Sequence, residues 1–110
     1  MDEHRIALSR PLQVQLRVAF ASDFHAGAST DDRMLSAACA KLEALRPDVV
    51  LLGGDYVGIR AEDIHGLAAM LAAVHAPLGK FGVFGNHDLH ANWHVVGDAL
   101  SAAGVRLLVN

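Results

Sequence analysis

Residues 46–55, Arg46-Pro47-Asp48-Val49-Val50-Leu51-Leu52-Gly53-Gly54-Asp55, decide the fold. Four consecutive apolar residues held between a proline and a glycine pair make too short a run for a helix. They read as a strand covered on both faces. Pro47 also closes what precedes it, since the residue before a proline is pushed out of the α region. Upstream, Thr30-Asp31-Asp32 offers N-caps, and Met34, Leu35, Ala38, Leu42 and Leu45 recur at helical spacing. The pattern predicts an amphipathic helix that stops near Arg46. Downstream, Ile64, Leu67, Ala68, Leu71 and Ala72 predict a second helix from about Ala61 to Val74.

The same alternation continues outward. From Val14 to Ala21, Val14, Leu16, Val18 and Phe20 alternate with Gln15, Arg17 and Ala19, which reads as a strand ending at Ser22-Asp23. Phe81-Gly82-Val83-Phe84 reads as a third strand, Trp93 to Ala103 as a third helix ended by Gly104, and Val105 to Val109 as a fourth strand. Residues 1–12 are peripheral, with Ile6-Ala7-Leu8 as a candidate edge strand. Strands separated by helices imply right-handed crossovers and an α/β fold with a mostly parallel sheet. No repeat, low-complexity segment or linker divides residues 1–110, so one domain is expected.

The polar residues stand where such a fold does its chemistry. Asp23 and His25, then Asp55, then Asn86, His87 and Asp88 each follow the carboxyl end of a strand. Loops from neighbouring strands converge at that edge of an open α/β sheet, and ligands bind there. If the Asp23-Phe24-His25 segment is extended, its two polar side chains leave on one side and can grip one cation through oxygen and nitrogen. Asp55 follows a glycine pair that lets the backbone turn, and its two carboxylate oxygens can bridge two cations. Asn86 offers a neutral carbonyl oxygen. His87 beside Asp88 is an imidazole with a carboxylate neighbour, a pairing suited to general-acid or electrostatic work. Taken singly these are ordinary turn residues at strand ends; three such clusters in register make a metal site the better reading.

Ser22-Asp23-Phe24-His25, Gly53-Gly54-Asp55 and Gly85-Asn86-His87-Asp88, in this order with helices between, resemble the first three blocks of the calcineurin-like metallophosphoesterases. The flanking segments 46–52 and 76–84 fit the same pattern, and segment 103–110 resembles the bacterial YkuE-like branch. The resemblance covers nearly everything from Leu16 onward, and it implies the N-terminal half of a four-layer α/β/β/α sandwich. It implies that Asp23 and His25 bind a first divalent metal, that Asp55 bridges, and that Asn86 binds a second. His87 would stand near the leaving-group oxygen, with Asp88 orienting it. Such sites hold two metal ions about 3.5–4 Å apart, lower the pKa of a bridging water and clamp the phosphoryl oxygens for in-line attack. Mn, Fe, Zn and Ni all suit mixed Asp/His/Asn ligation. The family pattern continues with a further His and a Gly-His-x-His block, and neither occurs before Asn110. The implied activity is hydrolysis of a phosphate ester, with the site incomplete in this chain.

Composition narrows the partners. Apolar residues make up 53% of the 110, and mean hydropathy is +0.30. The usual share is about 45–50% even with glycine counted. The excess points to a surface that a second copy, or missing C-terminal sequence, would cover, and it motivates a rival reading as a non-catalytic assembly module. A flavodoxin-like domain is a weaker alternative, because no Gly-rich phosphate loop follows the first strand. The net charge is −3 with no basic run, so no stable nucleic-acid partner is expected. The lone Cys39 reads as a small buried hydrophobe. With no signal peptide and no apolar run near about 18 residues, the expectation is a cytoplasmic protein without a membrane span. His90 and His94 stand i, i+4, but an exposed helix start explains them better than ligation does. Tyr56 and Trp93 flank the motifs and read as packing residues first and pocket wall second. His4, His65, His75 and Arg60 read as surface residues.

Overall fold

The computed structural model describes residues 16–27, 30–58, 60–85 and 92–108. Their order is β1 (Val18–Ala21), α1 (Asp32–Ala44), β2 (Val49–Leu52), a 3-10 turn (Ala61–Asp63) leading into α2 (Ile64–Ala72), β3 (Lys80–Gly82), α3 (Trp93–Ala102) and β4 (Val105–Leu107). The four strands form one parallel sheet in the order β1-β2-β3-β4. Helical crossovers demand this, because a parallel pair cannot be joined by a tight turn. With the order advancing in one direction, right-handed crossovers place α1, α2 and α3 on the same face. They form one layer, α1 against α2 and α2 against α3.

The helix ends follow local chemistry. The Asp31 carboxylate caps α1 by accepting from the Met34 N–H (2.9 Å). Beyond the Leu45 C-cap, Arg46 takes a left-handed conformation (φ 49°), a common way to end a helix, and Pro47 prevents its continuation. Asn92 caps α3 by accepting from the His94 N–H (3.2 Å), and Gly104 at φ 87° follows its end.

Register separates two faces. Ala19, Val50, Lys80 and Val105 lie side by side and face the helices, as do Ala21, Leu52, Gly82 and Leu107 one layer on. Against them pack Leu35, Cys39 and Leu42 of α1, Ile64, Leu67 and Leu71 of α2, and Val96 and Leu100 of α3. Cys39 is buried as expected, and desolvation pushes its thiol pKa up. The row Phe20, Leu51, Phe81, Arg106 points the other way. On that side Leu16, Val18, Phe20, Leu51, Val83 and Leu108 are all exposed.

Several sequence expectations change here. The all-apolar run of β2 is covered on one face, not two, because every described helix lies on one side of the sheet; Leu51 remains 38% exposed. The bulky residues of β1 are the open ones, while Ala19 and Ala21 pack beneath the helices. Met34 and Ala72 point outward rather than into the core. Residues 1–12, Val14 and Val109 lie outside the described residues.

Candidate metal centre

The segments following β1 and β2 run side by side, joined through their backbones. The Gly53 N–H donates to the Ala21 carbonyl (2.8 Å), and the N–H groups of Asp23, His25 and Ala26 donate to the carbonyls of Gly54, Asp55 and Tyr56 at 3.1, 2.9 and 2.9 Å. The ladder therefore continues past the strands and fixes two motif loops against each other. Phe24 is buried and stacks on the buried Tyr56, with ring centroids 6.2 Å apart and planes 14° from parallel. The Tyr56 hydroxyl donates to the Val83 carbonyl (2.8 Å), tying the end of β2 to the end of β3. With Phe24 turned into the core, its two neighbours are left at the sheet edge.

Asp23, His25 and Asp55 meet there. One potential ligand atom from each lies within 4.8 Å of the other two. The Ser22 hydroxyl donates to Asp23 Oδ2 (3.0 Å), while Asp23 Oδ1 stands 3.7 Å from His25 Nε2. The Asp23 side chain is 67% exposed and that of His25 25% exposed, so the group opens to solvent. Two carboxylates and an imidazole converging from two loops form a donor set that fits a divalent transition ion.

The backbone route differs from the extended path expected for Asp23-Phe24-His25. Asp23, His25 and Asp55 all occupy left-handed φ, at 57°, 49° and 54°. That conformation disfavours side chains other than glycine by about 1–2 kcal/mol, with Asp among the more tolerant. Non-glycine residues in such positions cluster at functional sites, where surrounding structure holds them. Two glycines make the arrangement possible. Gly54 turns at φ 102°, and a Cβ there would strike the Gly85 backbone; a Cβ at Gly85 would strike the Asp55 carboxylate and amide. The ends of β2 and β3 thus cross at backbone contact beside Asp55.

Asn86, His87 and Asp88 lie outside the described residues, as does His90. His94 is exposed at the start of α3, His65 and His75 are exposed, and Arg60 sits 3.9 Å from Glu62 in a surface ion pair. The Asp23/His25/Asp55 grouping was legible in the sequence. Ser22 and Tyr56 as supports were not, because each acts through a partner that only the fold supplies.

Comparison with known proteins decides the family. The calcineurin-like phosphoesterase family matches residues 16–105. This chain belongs to that family. Among the relatives of this phosphoesterase-family chain, a metallophosphoesterase of Aquifex aeolicus is 33% identical over 98 residues, covering 89% of this chain and 38% of that protein. The phosphodiesterase YaeI of Escherichia coli is 31% identical across 97% of this chain and 41% of its own length. The UDP-2,3-diacylglucosamine pyrophosphatase LpxG of Chlamydia trachomatis is 39% identical over 74 residues, 66% of this chain and 22% of that enzyme. The chain therefore spans less than half the length of these relatives. No solved structure matches it significantly.

Proposed function

We propose that this chain is the N-terminal portion of a metal-dependent phosphoesterase that hydrolyses phosphomonoesters or phosphodiesters at a dinuclear centre. The observation that carries the reading is the convergence of Asp23, His25 and Asp55 at the carboxyl edge of a parallel sheet. The relatives named phosphodiesterase and pyrophosphatase support the substrate class, a phosphate ester or anhydride.

In this reading Asp23 and His25 would hold one divalent ion, Asp55 would be shared with a second, and Asn86 would contribute to that second ion. Manganese, iron, zinc and nickel suit the donor set. The bound ions supply positive charge for phosphoryl oxygens and acidify water. The protein's part is positioning. The Ser22 hydroxyl orients the Asp23 carboxylate, the paired backbones hold His25 against Asp55, and Gly85 leaves room for the Asp55 carboxylate. His87 would serve near the leaving-group oxygen, with Asp88 orienting its ring. The test is hydrolysis of bis(p-nitrophenyl) phosphate with Mn²⁺ present. Activity abolished by both Asp55→Asn and His87→Ala supports the roles; activity indifferent to both overturns them.

A second reading rests on the open face of the sheet. Leu16, Val18, Phe20, Leu51, Val83 and Leu108 form an apolar surface larger than isolated exposed residues produce. In this reading the chain is a non-catalytic module that assembles through that face, with a second copy or with further polypeptide of the same protein. Sedimentation velocity distinguishes the two. Self-association that disappears in Phe20→Ser/Leu51→Ser supports assembly of two copies through the face, and a monomer unaffected by the change removes that form of the reading. Among the described residues no helix is long and apolar enough to cross a membrane.

A further inference from the structure

Trp93 is the only tryptophan in the chain, and its position is unusual for so large an apolar side chain. It opens α3 and is 45% exposed. Because α3 leaves the carboxyl end of β3, Trp93 shares the sheet edge with Asp23, His25 and Asp55. It is also held in place. The Phe84 ring meets it edge-on at 6.0 Å and 72°, and the His94 ring lies against it at 3.6 Å and 30°. Phe84 is itself wedged toward α3, close enough that a Cβ at Gly97 would sit 3.2 Å from its ring. The next residue after Phe84 is Gly85, whose backbone abuts the Asp55 carboxylate. The indole is thus linked to the metal-ligand group through the Phe84 ring and its chain neighbour Gly85.

We infer that Trp93, backed by Phe84 and His94, is a stacking wall for a planar ring on the organic side of the phosphate ester, as in a nucleotide. A buried tryptophan would be core packing, but an indole fixed by two aromatic neighbours and still half open presents preformed apolar surface to solvent. Aromatic stacking of this kind is tolerant of base identity and contributes through area rather than through hydrogen bonds. The inference rests on the phosphoesterase reading for what the edge binds. It adds which substrates the edge prefers: ring-bearing esters over those with small polar alcohols.

The single indole is also the probe. Fluorescence excited in Trp93 is titrated with AMP, adenosine and ribose 5-phosphate, in the presence of Mn²⁺. Binding of inorganic phosphate is followed by calorimetry. Saturable quenching by AMP, absent with ribose 5-phosphate, is the expected result. By calorimetry Trp93→Ala should weaken AMP about tenfold, an effect in the range of one stacking contact, with phosphate affinity unchanged. Trp93→Phe should restore most of the AMP affinity. Equal AMP affinity in the wild type and Trp93→Ala, or no quenching by either AMP or adenosine, overturns the stacking wall. If phosphate fails to bind while adenosine still quenches, the phosphoesterase reading fails and the aromatic wall stands.

Discussion

The two ends of the sheet are built for different purposes. At the amino end polar groups are satisfied, and the left-handed turns at Arg46, Gly79 and Gly104 serve only to lead the chain into the next strand. Arg17 donates through its N–H to Asp48 Oδ2 and through its guanidinium to the Leu45 carbonyl, both at 2.8 Å. The Glu43 carboxylate accepts from the His75 N–H (2.6 Å). Lys80 points under the helices, and its amine donates to the Leu71 and Ala103 carbonyls at 2.8 and 3.0 Å, tying the ends of α2 and α3 together. At the carboxyl end three polar residues occupy left-handed backbone and crowd two carboxylates and an imidazole into one place. One end contributes stability; the other gives some up to hold a charge-rich group in a geometry that a cation would complete. The difference teaches where substitutions should hurt the fold and where they should hurt only binding.

The contact shared by fold and site should be the most sensitive. Gly85→Ala places a Cβ on the Asp55 carboxylate and amide, so chemical denaturation should show a loss of about 3 kcal/mol together with loss of metal binding. A variant as stable as the wild type would mean that the two strand ends do not cross so closely. Next comes the amino end. Lys80→Met keeps the aliphatic stem but removes the amine from the Ala103 carbonyl and from the Leu71 carbonyl, which keeps the Val74 N–H (3.1 Å), for a loss of about 1–2 kcal/mol in urea with metal affinity unchanged. At the carboxyl end the sign reverses. Asp23→Gly relieves a left-handed residue but raises the entropy of the unfolded chain, so metal-free stability should stay within about 0.5 kcal/mol of wild type, on the stabilising side. A clear loss there would erase the contrast between the ends.

The smallest effect concerns pH. Desolvation lowers the Lys80 pKa below its ordinary 10.5, partly offset by the Glu43 carboxylate. As pH rises from the folded-state pKa toward 10.5, the folded chain has released this proton while the unfolded chain still holds it. Stability from this group therefore increases across that window. The gap in unfolding free energy between wild type and Lys80→Met should widen with pH there. A gap that is flat or narrows contradicts the partly buried position of the amine.

Much of this was legible in the sequence because local chemistry decided it. Pro47 and Gly53 bound β2 on either side, Asp31 caps α1 where the apolar spacing begins, and Asp23, His25 and Asp55 follow strand ends whatever the tertiary detail. What escaped depends on layers and on distant partners. Alternation in β1 separates two faces but cannot say which one the helices cover, and here they cover the alanines and leave Phe20 open. The third strand reads from Phe81 in the sequence but begins at Lys80, whose role appears only once the ends of α2 and α3 are brought together above it. The left-handed turns at Asp23 and His25 were hidden because non-glycine residues rarely adopt them. The all-apolar β2 run, legible as a strand with two covered faces, is half covered among the described residues. That mismatch is what the assembly reading turns on.

The central claim is that Asp23, His25 and Asp55 form one cation grip. Calorimetric titration of the chain with Mn²⁺ near neutral pH tests it most directly, comparing wild type with Asp23→Asn and Asp55→Asn. Asparagine tolerates the left-handed backbone while replacing a carboxylate with a neutral amide. The account predicts saturable Mn²⁺ binding in the wild type, with each substitution weakening it at least tenfold while the circular dichroism spectrum stays unchanged. No measurable binding by the wild type, or equal binding by all three proteins, would contradict it.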